Sequence, residues 1–217
     1  MCGRYTFGSE QWINYQVALG LAPDHTRVNL RPNYDARPTQ SMPIVRMGEN
    51  GPQLSEARWG LVPFFWSKPI KEMKFSTFNA KSETAAKAPS FREPFKRRRC
   101  IVPADGFYEW TGKKDDKRRW YFSPTEQPKV FRFAGLWDQA VIEGETVESF
   151  TILTCEPNDV TGEYHNRMPV ILTGGEPRQW LNFDAGQEVL KPCDPDLIQV
   201  HEVARVAKGS AQIEPLQ

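Results

Sequence analysis

Apolar and polar residues alternate in many short segments of the chain, and turn-forming residues separate these segments. The segments are rich in β-branched and aromatic residues, which favour strands. The turn Gly48–Gly51 between two of them is typical of a β-hairpin. The pattern predicts strands at Met42–Met47, Ser55–Val62, Cys100–Val102, Gly106–Thr111, Arg119–Ser123, Val130–Leu136, Phe150–Cys155, Pro169–Thr173 and Leu197–Val206.

Helical spacing is confined to short stretches. Residues 9–19 predict an amphipathic helix with Ser9 as its N-terminal cap. Residues 83–95 predict a second helix, which Pro89 disturbs. Shorter helical segments are predicted at Asn158–Tyr164 and Pro177–Leu181, and a loop at Arg31–Pro38.

The order of these elements predicts the fold class. Helices do not alternate regularly with strands, so a parallel α/β fold is disfavoured. No internal repeat, low-complexity tract or linker divides the 217 residues. We therefore expect an α+β fold: a single domain over residues 1–217, with a strongly curved, barrel-like mixed β-sheet core and peripheral short helices.

Composition indicates a globular protein. With 39% hydrophobic residues and a formal net charge of +1, the chain is neither disordered nor a generic polycation. No segment is long and apolar enough to span a membrane, and the N-terminus lacks the basic and apolar regions of a secretory signal. We therefore expect a cytoplasmic protein that does not bind membranes and whose cysteines are reduced.

The cysteines and histidines lack the spacing of a metal site. No Cys-x-x-Cys pair occurs, and the histidines are widely spread. We therefore predict no bound metal, and no cofactor is implied. The residues concerned are Cys2, Cys100, Cys155, Cys193, His25, His165 and His201.

Basic residues are clustered despite the small net charge. One run is Lys96–Arg99, and another extends from Lys113 to Arg119. Such runs are most often solvated faces or hairpin tips, but local basic patches also supply the attraction for phosphate in nucleic-acid binders. Both interpretations stay open from the sequence.

Cys2 is the residue most informative about function. It follows the initiator Met1, and because its side chain is small we expect Met1 to be removed, leaving a free α-amine beside the thiol. The amine ordinarily titrates near ~7.7–8.0 and the thiol near ~8.5, so both are partly nucleophilic at neutral pH. With an aldehyde, the amine forms an imine and the thiolate closes a thiazolidine ring; an amide carbonyl is the second possible target. Most intracellular cysteines are instead small buried hydrophobes, so Cys2 alone does not decide the function.

Five short segments, the first of which contains Cys2, carry the residues that could take part in catalysis or binding. Each is a weak signal alone, but all five in this order, with cysteine at position 2, form a specific one. The segments are Cys2–Tyr5, Arg58–Trp66, Phe78–Thr84, Ala104–Trp110 and His165–Val170. Together they resemble the SRAP (SOS response-associated peptidase) family, and the resemblance extends from Cys2 to about Thr173.

The resemblance implies a function for Cys2. Members of the family form a covalent thiazolidine between the N-terminal cysteine and the ring-opened aldehyde of an abasic site in single-stranded DNA. The word peptidase in the family name refers to removal of what precedes the cysteine. On this basis we expect Cys2 to be the nucleophile.

Glu109 and His165 are the candidate acid–base residues. A carboxylate on an alternating strand is ordinarily exposed, but Glu109 lies between Tyr108 and Trp110, which favours desolvation and a raised pKa. A lone histidine is more often structural than catalytic, although its pKa suits proton transfer. The resemblance places the family's active-site glutamate at Glu109 and its sugar-opening histidine at His165.

Asn79 is the candidate sensor of the abasic site. Its amide carries donors and an acceptor that can hold the amine, the sugar or a phosphate, although asparagine in a loop commonly stabilises a turn. Lys81 stands where the family usually has arginine, so it keeps the charge but loses the bidentate fork. Thr154 is a DNA-contact candidate on the resemblance alone.

Two arginines are further candidates to contact DNA phosphates. Arg4 lies two residues from Cys2, so a phosphate that it binds would be next to the captured sugar. Arg167 follows His165 in the same segment. Asp35 stands where the family commonly has asparagine, and it suits a DNA-facing position only if it pairs with Arg31 or Arg37.

Three consecutive aromatic residues, Phe64, Phe65 and Trp66, are either core residues or a stacking surface. Because side chains on a strand alternate between faces, at least one of the three is expected to reach solvent. Phe65 and Trp66 are therefore candidates to stack on bases beside the lesion, which requires no sequence readout.

The sequence leaves three hypotheses for function. The first is covalent capture of abasic sites by a monomer that shields the lesion, associates with the nucleoid through DNA and has weak lyase activity by β-elimination from the imine. The second is a cysteine peptidase of the N-terminal-nucleophile type, with Asn79 in an oxyanion hole. The third is a non-catalytic reader of damaged or modified DNA, in which Cys2 is dispensable and binding falls steeply with salt.

Overall fold

Two β-sheets and short peripheral helices make up the part of the chain that the structure describes. The computed structural model describes residues 2–8, 10–21, 31–113 and 116–203. Three short 3₁₀ turns, at 70–72, 187–189 and 195–197, supplement the elements. In chain order the strands and α-helices are β1 (Tyr5–Phe7), α1 (Trp12–Leu19), β2 (Asn33–Ala36), β3 (Ser41–Gly48), β4 (Gly51–Trp59), β5 (Asn79–Lys81), α2 (Ser82–Ala85), α3 (Arg92–Arg97), β6 (Arg99–Ala104), β7 (Gly106–Thr111), β8 (Arg118–Pro124), β9 (Phe131–Ile142), β10 (Glu145–Cys155), α4 (Asp159–Gly162), β11 (Met168–Pro169), α5 (Glu176–Leu181) and β12 (Ile198–Val203).

The larger sheet closes into a five-stranded barrel. Its strands follow the order β10-β4-β3-β6-β9, and β9 pairs again with β10 to close the ring. β4 and β10 are parallel, whereas the other neighbours in the ring are antiparallel, so the sheet is mixed. β5 and β11 extend β10 beyond the ring. β10 is therefore the strand on which the barrel and its additions meet.

The second sheet has five strands in the order β12-β8-β7-β1-β2 and packs its aromatic face on the barrel. Tyr5 of β1 contacts Trp59 and Phe133 of the barrel, with ring centroids 5.0 and 6.4 Å apart. Phe107 of β7 stacks on Phe122 and contacts Phe133 at 6.0 Å. Burying such rings is the main stabilising contribution. It holds β1, and therefore the segment that begins at Cys2, against the barrel.

The α+β class, with its barrel-like mixed sheet and short peripheral helices, is confirmed. The predicted strand Gly106–Thr111 has the bounds of β7. β9 and β10 are longer than predicted because they form one antiparallel hairpin in continuous register. None of the helices in the described ranges combines the length and apolar character needed to cross a bilayer.

Two predictions about helices and loops are wrong. Residues 83–95 do not form one helix: α2 ends at Ala85, and α3 begins only at Arg92, because Pro89 interrupts the segment between them. The predicted loop Arg31–Pro38 contains the strand β2, which pairs with β1 at the sheet edge.

The first helix begins later than predicted. α1 starts at Trp12, and its N-cap is Gln11, whose side chain makes no capping hydrogen bond. The predicted cap Ser9 lies outside the described residues. The helix ends at Leu19, and its C-cap Gly20 adopts the left-handed conformation that favours glycine.

The bounds of other strands also differ from the predicted ones. The predicted strand Ser55–Val62 ends at Trp59, because Gly60 has a φ of +118° and turns the chain out of the ladder. Instead of Pro169–Thr173, the chain pairs at Met168–Pro169, with an isolated bridge at Ile171. The last strand begins at Ile198, and residues 204–206 of the predicted Leu197–Val206 lie outside the described ranges.

Candidate active site

Cys2 is held in the interior at the start of β1. Its side chain is fully buried, and its thiol donates to the carbonyl oxygen of Arg4 at 3.6 Å. The amide of Asn79 donates to the carbonyl oxygen of Cys2 at 2.8 Å. The pairing of β1 with β7 continues to the N-H of Tyr108, which donates to the Arg4 carbonyl at 3.0 Å. The position of Cys2 is thus fixed from two sides.

Glu109 of β7 lies beside Cys2. Tyr5 pairs with Phe107 in the antiparallel ladder, and continuing this register places Gly3 opposite Glu109. Glu109 is buried, with 6% of its surface exposed, and this burial raises its pKa to about 7. Burial, followed by the charge of the Glu109 carboxylate, raises the pKa of the Cys2 thiol well above its usual range. The aromatic neighbours of Glu109 in the sequence led us to expect that its carboxyl group is desolvated, and Glu109 is indeed buried.

Asn79 reaches Cys2 from the barrel side. It begins β5, whose parallel pairing places Asn79 opposite Ile152 of β10. The amide nitrogen is used by Cys2, whereas the buried Oδ1 has no hydrogen-bond partner among the described residues. A buried acceptor without a partner is costly, so this oxygen is suited to an additional donor at the site.

His165 follows α4 in a loop that is tied to β10. The helix is capped by Asn158, whose side chain accepts from the N-H of Thr161. The backbone of Arg167 holds the ring of His165, because its N-H lies 3.0 Å and its carbonyl oxygen 3.2 Å from Nδ1. Burial lowers the pKa of His165, which favours the neutral ring at pH 7.

Arg4 is part of an ion cluster around Asp35. One carboxylate oxygen of Asp35 accepts from Arg4, and the other accepts from Nε of Arg37 at 2.9 Å. The guanidinium of Arg4 also lies over the ring of Trp110, 5.7 Å from its centroid. Asp35 thus meets the condition set from the sequence by pairing with Arg37, and it pairs with Arg4 as well.

Arg167 is held by a second carboxylate, which we did not predict from the sequence. Its two terminal nitrogens donate to the two oxygens of Glu83 at 2.7 and 2.8 Å. It also donates to the carbonyl oxygen of Thr154. The Arg167 guanidinium keeps the pKa of Glu83 below its usual range, and the charge of the exposed Lys81 acts in the same direction.

Thr154 is fully buried in β10, and its hydroxyl lies 3.4 Å from the carbonyl oxygen of Ala80. In this conformation the hydroxyl supports β5 and does not face solvent.

Arg119 is another residue that the sequence did not single out. Its guanidinium carbon lies 3.7 Å from the ring centroid of Tyr108. The only hint in the sequence was its place in a basic run.

The aromatic residues 64–66 lie in a turn, not on a strand. Phe64 and Phe65 are each 51% exposed, so the prediction that at least one aromatic reaches solvent is confirmed. Trp66 is half-buried and packs edge-on against Phe75 at 5.7 Å. The N-H of Phe64 donates to the buried carboxylate of Asp138 at 3.0 Å, which fixes the turn.

The four cysteines are free and buried. In the part of the chain that the structure describes, no group of three or more His, Cys, Asp or Glu side chains is arranged to hold a metal ion. The groups that lie together at Cys2 are a thiol, the carboxyl group of Glu109 and the amide of Asn79.

Comparisons with known proteins identify the relatives of this chain. The family model described as SOS response associated peptidase (SRAP) matches residues 1–208. Abasic site processing protein YoqW of Bacillus subtilis is 34% identical, over 99% of this chain and 97% of the relative. Abasic site processing protein HMCES of Xenopus tropicalis is 29% identical, over 96% of this chain and 70% of the relative. A crystal structure of a protein from Bacteroides thetaiotaomicron superposes with a TM-score of 0.82 and 28% identity, over 94% of this chain and 92% of that one.

Proposed function

This chain belongs to the SOS response associated peptidase (SRAP) family, and we propose that it processes abasic sites by capturing them covalently in single-stranded DNA. Removal of Met1 leaves Cys2 as the reacting residue. The names of its curated relatives support the substrate class. The observation that carries the proposal is the packing of Cys2 between Glu109, whose pKa is about 7, and the amide of Asn79.

The capture proceeds through an imine. The α-amine of Cys2 attacks the C1′ aldehyde of the ring-opened deoxyribose, and the carbinolamine that forms loses one water. The thiol sulfur then bonds to the imine carbon, its proton leaves, and the nitrogen takes up a proton. The product is a five-membered thiazolidine, and one water is released overall.

Glu109 is the proton-transfer group for these steps. A pKa near the working pH gives comparable populations of the acid and the base, which suits a group that must both accept and deliver protons. Its charge interaction with Cys2 supports a role at this residue. Glu109 takes the proton from the attacking nucleophile and returns it to the departing hydroxyl.

His165 and Asn79 orient the sugar and the amine. The imidazole of His165, which the Arg167 backbone orients, donates a hydrogen bond to the ring oxygen of the closed deoxyribose and so favours opening to the aldehyde. The partnerless Oδ1 of Asn79 accepts from the newly formed α-amine of Cys2. That hydrogen bond holds the nitrogen lone pair toward the aldehyde carbon.

DNA is held by charges and by stacking. Arg4, Lys81 and Arg167 contact the phosphates on either side of the lesion. The exposed rings of Phe64 and Phe65 stack on adjacent bases. Neither contact reads sequence, which fits a lesion that carries no base. An imine that undergoes β-elimination before ring closure gives weak lyase activity.

A denaturing gel tests the proposal. Protein whose loss of Met1 has been verified by intact mass is mixed with a single-stranded oligonucleotide carrying one abasic site. We expect a shifted band that survives denaturation and is absent with undamaged DNA and with Cys2→Ala. Cys193→Ala is the matched control, since it removes another buried thiol and should leave the band intact.

Other outcomes would identify another function. A free N-terminal cysteine with no covalent band would refute capture. Salt-sensitive binding that is equal in Cys2→Ala and fails to survive denaturation would indicate a non-catalytic reader. Turnover of peptides in trans that requires Cys2 would indicate a peptidase.

A further inference from the structure

Each of the two arginines proposed to contact DNA is already bound by a carboxylate. Asp35 lies between Arg4 and Arg37, and Glu83 binds Arg167. An arginine held by a carboxylate presents the geometry with which it binds a phosphate, because both anions accept bidentate hydrogen bonds. The two carboxylates thus stand where DNA phosphates are expected.

The two carboxylates differ in how easily they can be displaced. Both oxygens of Asp35 are occupied by separate arginines, and its side chain is 26% exposed. Glu83 is 46% exposed and binds a single guanidinium, whose own side chain is 13% exposed. The exposed Glu83 carboxylate can move into solvent, and an incoming phosphate restores the bidentate hydrogen bonds of the Arg167 guanidinium. Glu83 is therefore the displaceable one.

The position of Glu83 links it to the site. It lies two residues after Lys81 on α2, which directly follows β5 and the Asn79 contact with Cys2. Its partner Arg167 donates to the carbonyl oxygen of Thr154 on β10. Thr154 in turn lies opposite Lys81 in the parallel pairing of β5 and β10. A phosphate next to the captured sugar would meet Arg167 by replacing Glu83.

We propose that Glu83 is a specificity-determining residue that occupies the Arg167 guanidinium as an internal phosphate mimic and weakens binding to undamaged single-stranded DNA. Stable retention then depends on the covalent step, which only an abasic site provides. This inference rests on the proposed function. Its test on undamaged DNA does not require the covalent chemistry.

Glu83→Gln is the test, since it removes the charge and keeps the size. One additional phosphate contact to single-stranded DNA adds about 0.7 to the slope of log K against log salt, which corresponds to about fivefold in affinity at 0.1 M salt. We therefore expect Glu83→Gln to bind undamaged oligo-dT about fivefold more tightly and with a steeper salt dependence, measured by fluorescence anisotropy. The second-order rate of crosslinking to an abasic site should rise in parallel.

Two controls separate this effect from a change in net charge. Glu145→Gln removes an exposed carboxylate at the start of β10, on the distal hairpin, and should change affinity by much less. The double variant Glu83→Gln with Arg167→Gln should lose the gain, because the gain requires the freed guanidinium. Unchanged or weaker binding by Glu83→Gln, or a gain equal to that of Glu145→Gln, would overturn the inference. A gain in affinity without any crosslink in the wild type would support it while refuting the proposed function.

Discussion

The buried carboxyl group of Glu109 should make folding stability depend on pH. In the unfolded chain its pKa is near 4.5, and burial raises it to about 7 in the folded protein. The folded state therefore binds the proton more tightly, and ionisation of Glu109 costs stability. At 1.36 kcal/mol per pH unit, the difference of about 2.5 units corresponds to about 3 kcal/mol.

The direction of the pKa shift of Glu109 determines the pH range over which the folding stability changes. The protonated form of Glu109 is fully present in both states below pH 4.5, and its stabilising contribution is lost as pH rises through about 7. Glu109→Gln has no proton to lose. The stability of the wild type relative to Glu109→Gln should therefore fall by about 3 kcal/mol between pH 4 and pH 8, mostly between 4.5 and 7.

Urea unfolding of both proteins at intervals from pH 5 to pH 8 measures this difference. All other titrating groups are shared, so their contributions cancel when the two free energies of unfolding are subtracted. A difference that varies by less than about 1 kcal/mol over the range would refute the raised pKa. The same variant should slow crosslinking by about 10²-fold or more, and the pH dependence centred near 7 should disappear from its rate.

Two further substitutions test the fold and the stacking surface. Gly135→Ala should destabilise the barrel by about 1–3 kcal/mol in urea unfolding, since a Cβ would lie 2.8 Å from the Cys100 sulfur; Gly175→Ala, with open space around it, should be nearly neutral. Phe65→Ala should weaken binding to single-stranded DNA by about 1–3 kcal/mol in anisotropy titrations without loss of stability, whereas Val141→Ala, equally exposed on β9, should not; equal effects would refute stacking.

Local pattern was sufficient to predict the strands that pair with sequence neighbours. β7 alternates aromatic and polar residues between turn-forming boundaries, and its predicted bounds match those in the structure. β2 and β5 were missed because each is short and is stabilised by a distant partner: β2 by the edge of β1, and β5 by parallel pairing with β10. A four-residue segment such as Asn33–Ala36, with polar residues and flanking prolines, carries no strand signal of its own.

The residues of the candidate site also divide into those that the sequence could identify and those that it could not. Cys2 could be selected from its chemistry at position 2, whereas Asn79 and Glu109 were selected through the resemblance of their segments to the family, and the structure brings the three together. The carboxylate partner of Arg167 could not, because Glu83 is 84 residues away in sequence and looks like any solvated acidic residue on a helix. Ion pairs of this kind are set by tertiary packing, which leaves no periodic signal.

Burial of the Cys2 thiol sets the order of the proposed reaction. Because its pKa is raised well above the usual range, the sulfur is a neutral thiol at pH 7 and a poor nucleophile by itself. The amine must therefore react first, and the imine that it forms is the electrophile that draws the sulfur in. Proton transfer from the thiol to Glu109 accompanies that closure, since a carboxyl group with a pKa of about 7 is a stronger base than an ordinary glutamate. A thiol that is inert without an aldehyde on the adjacent nitrogen is protected from oxidants and stray electrophiles, so the residue stays available for the lesion.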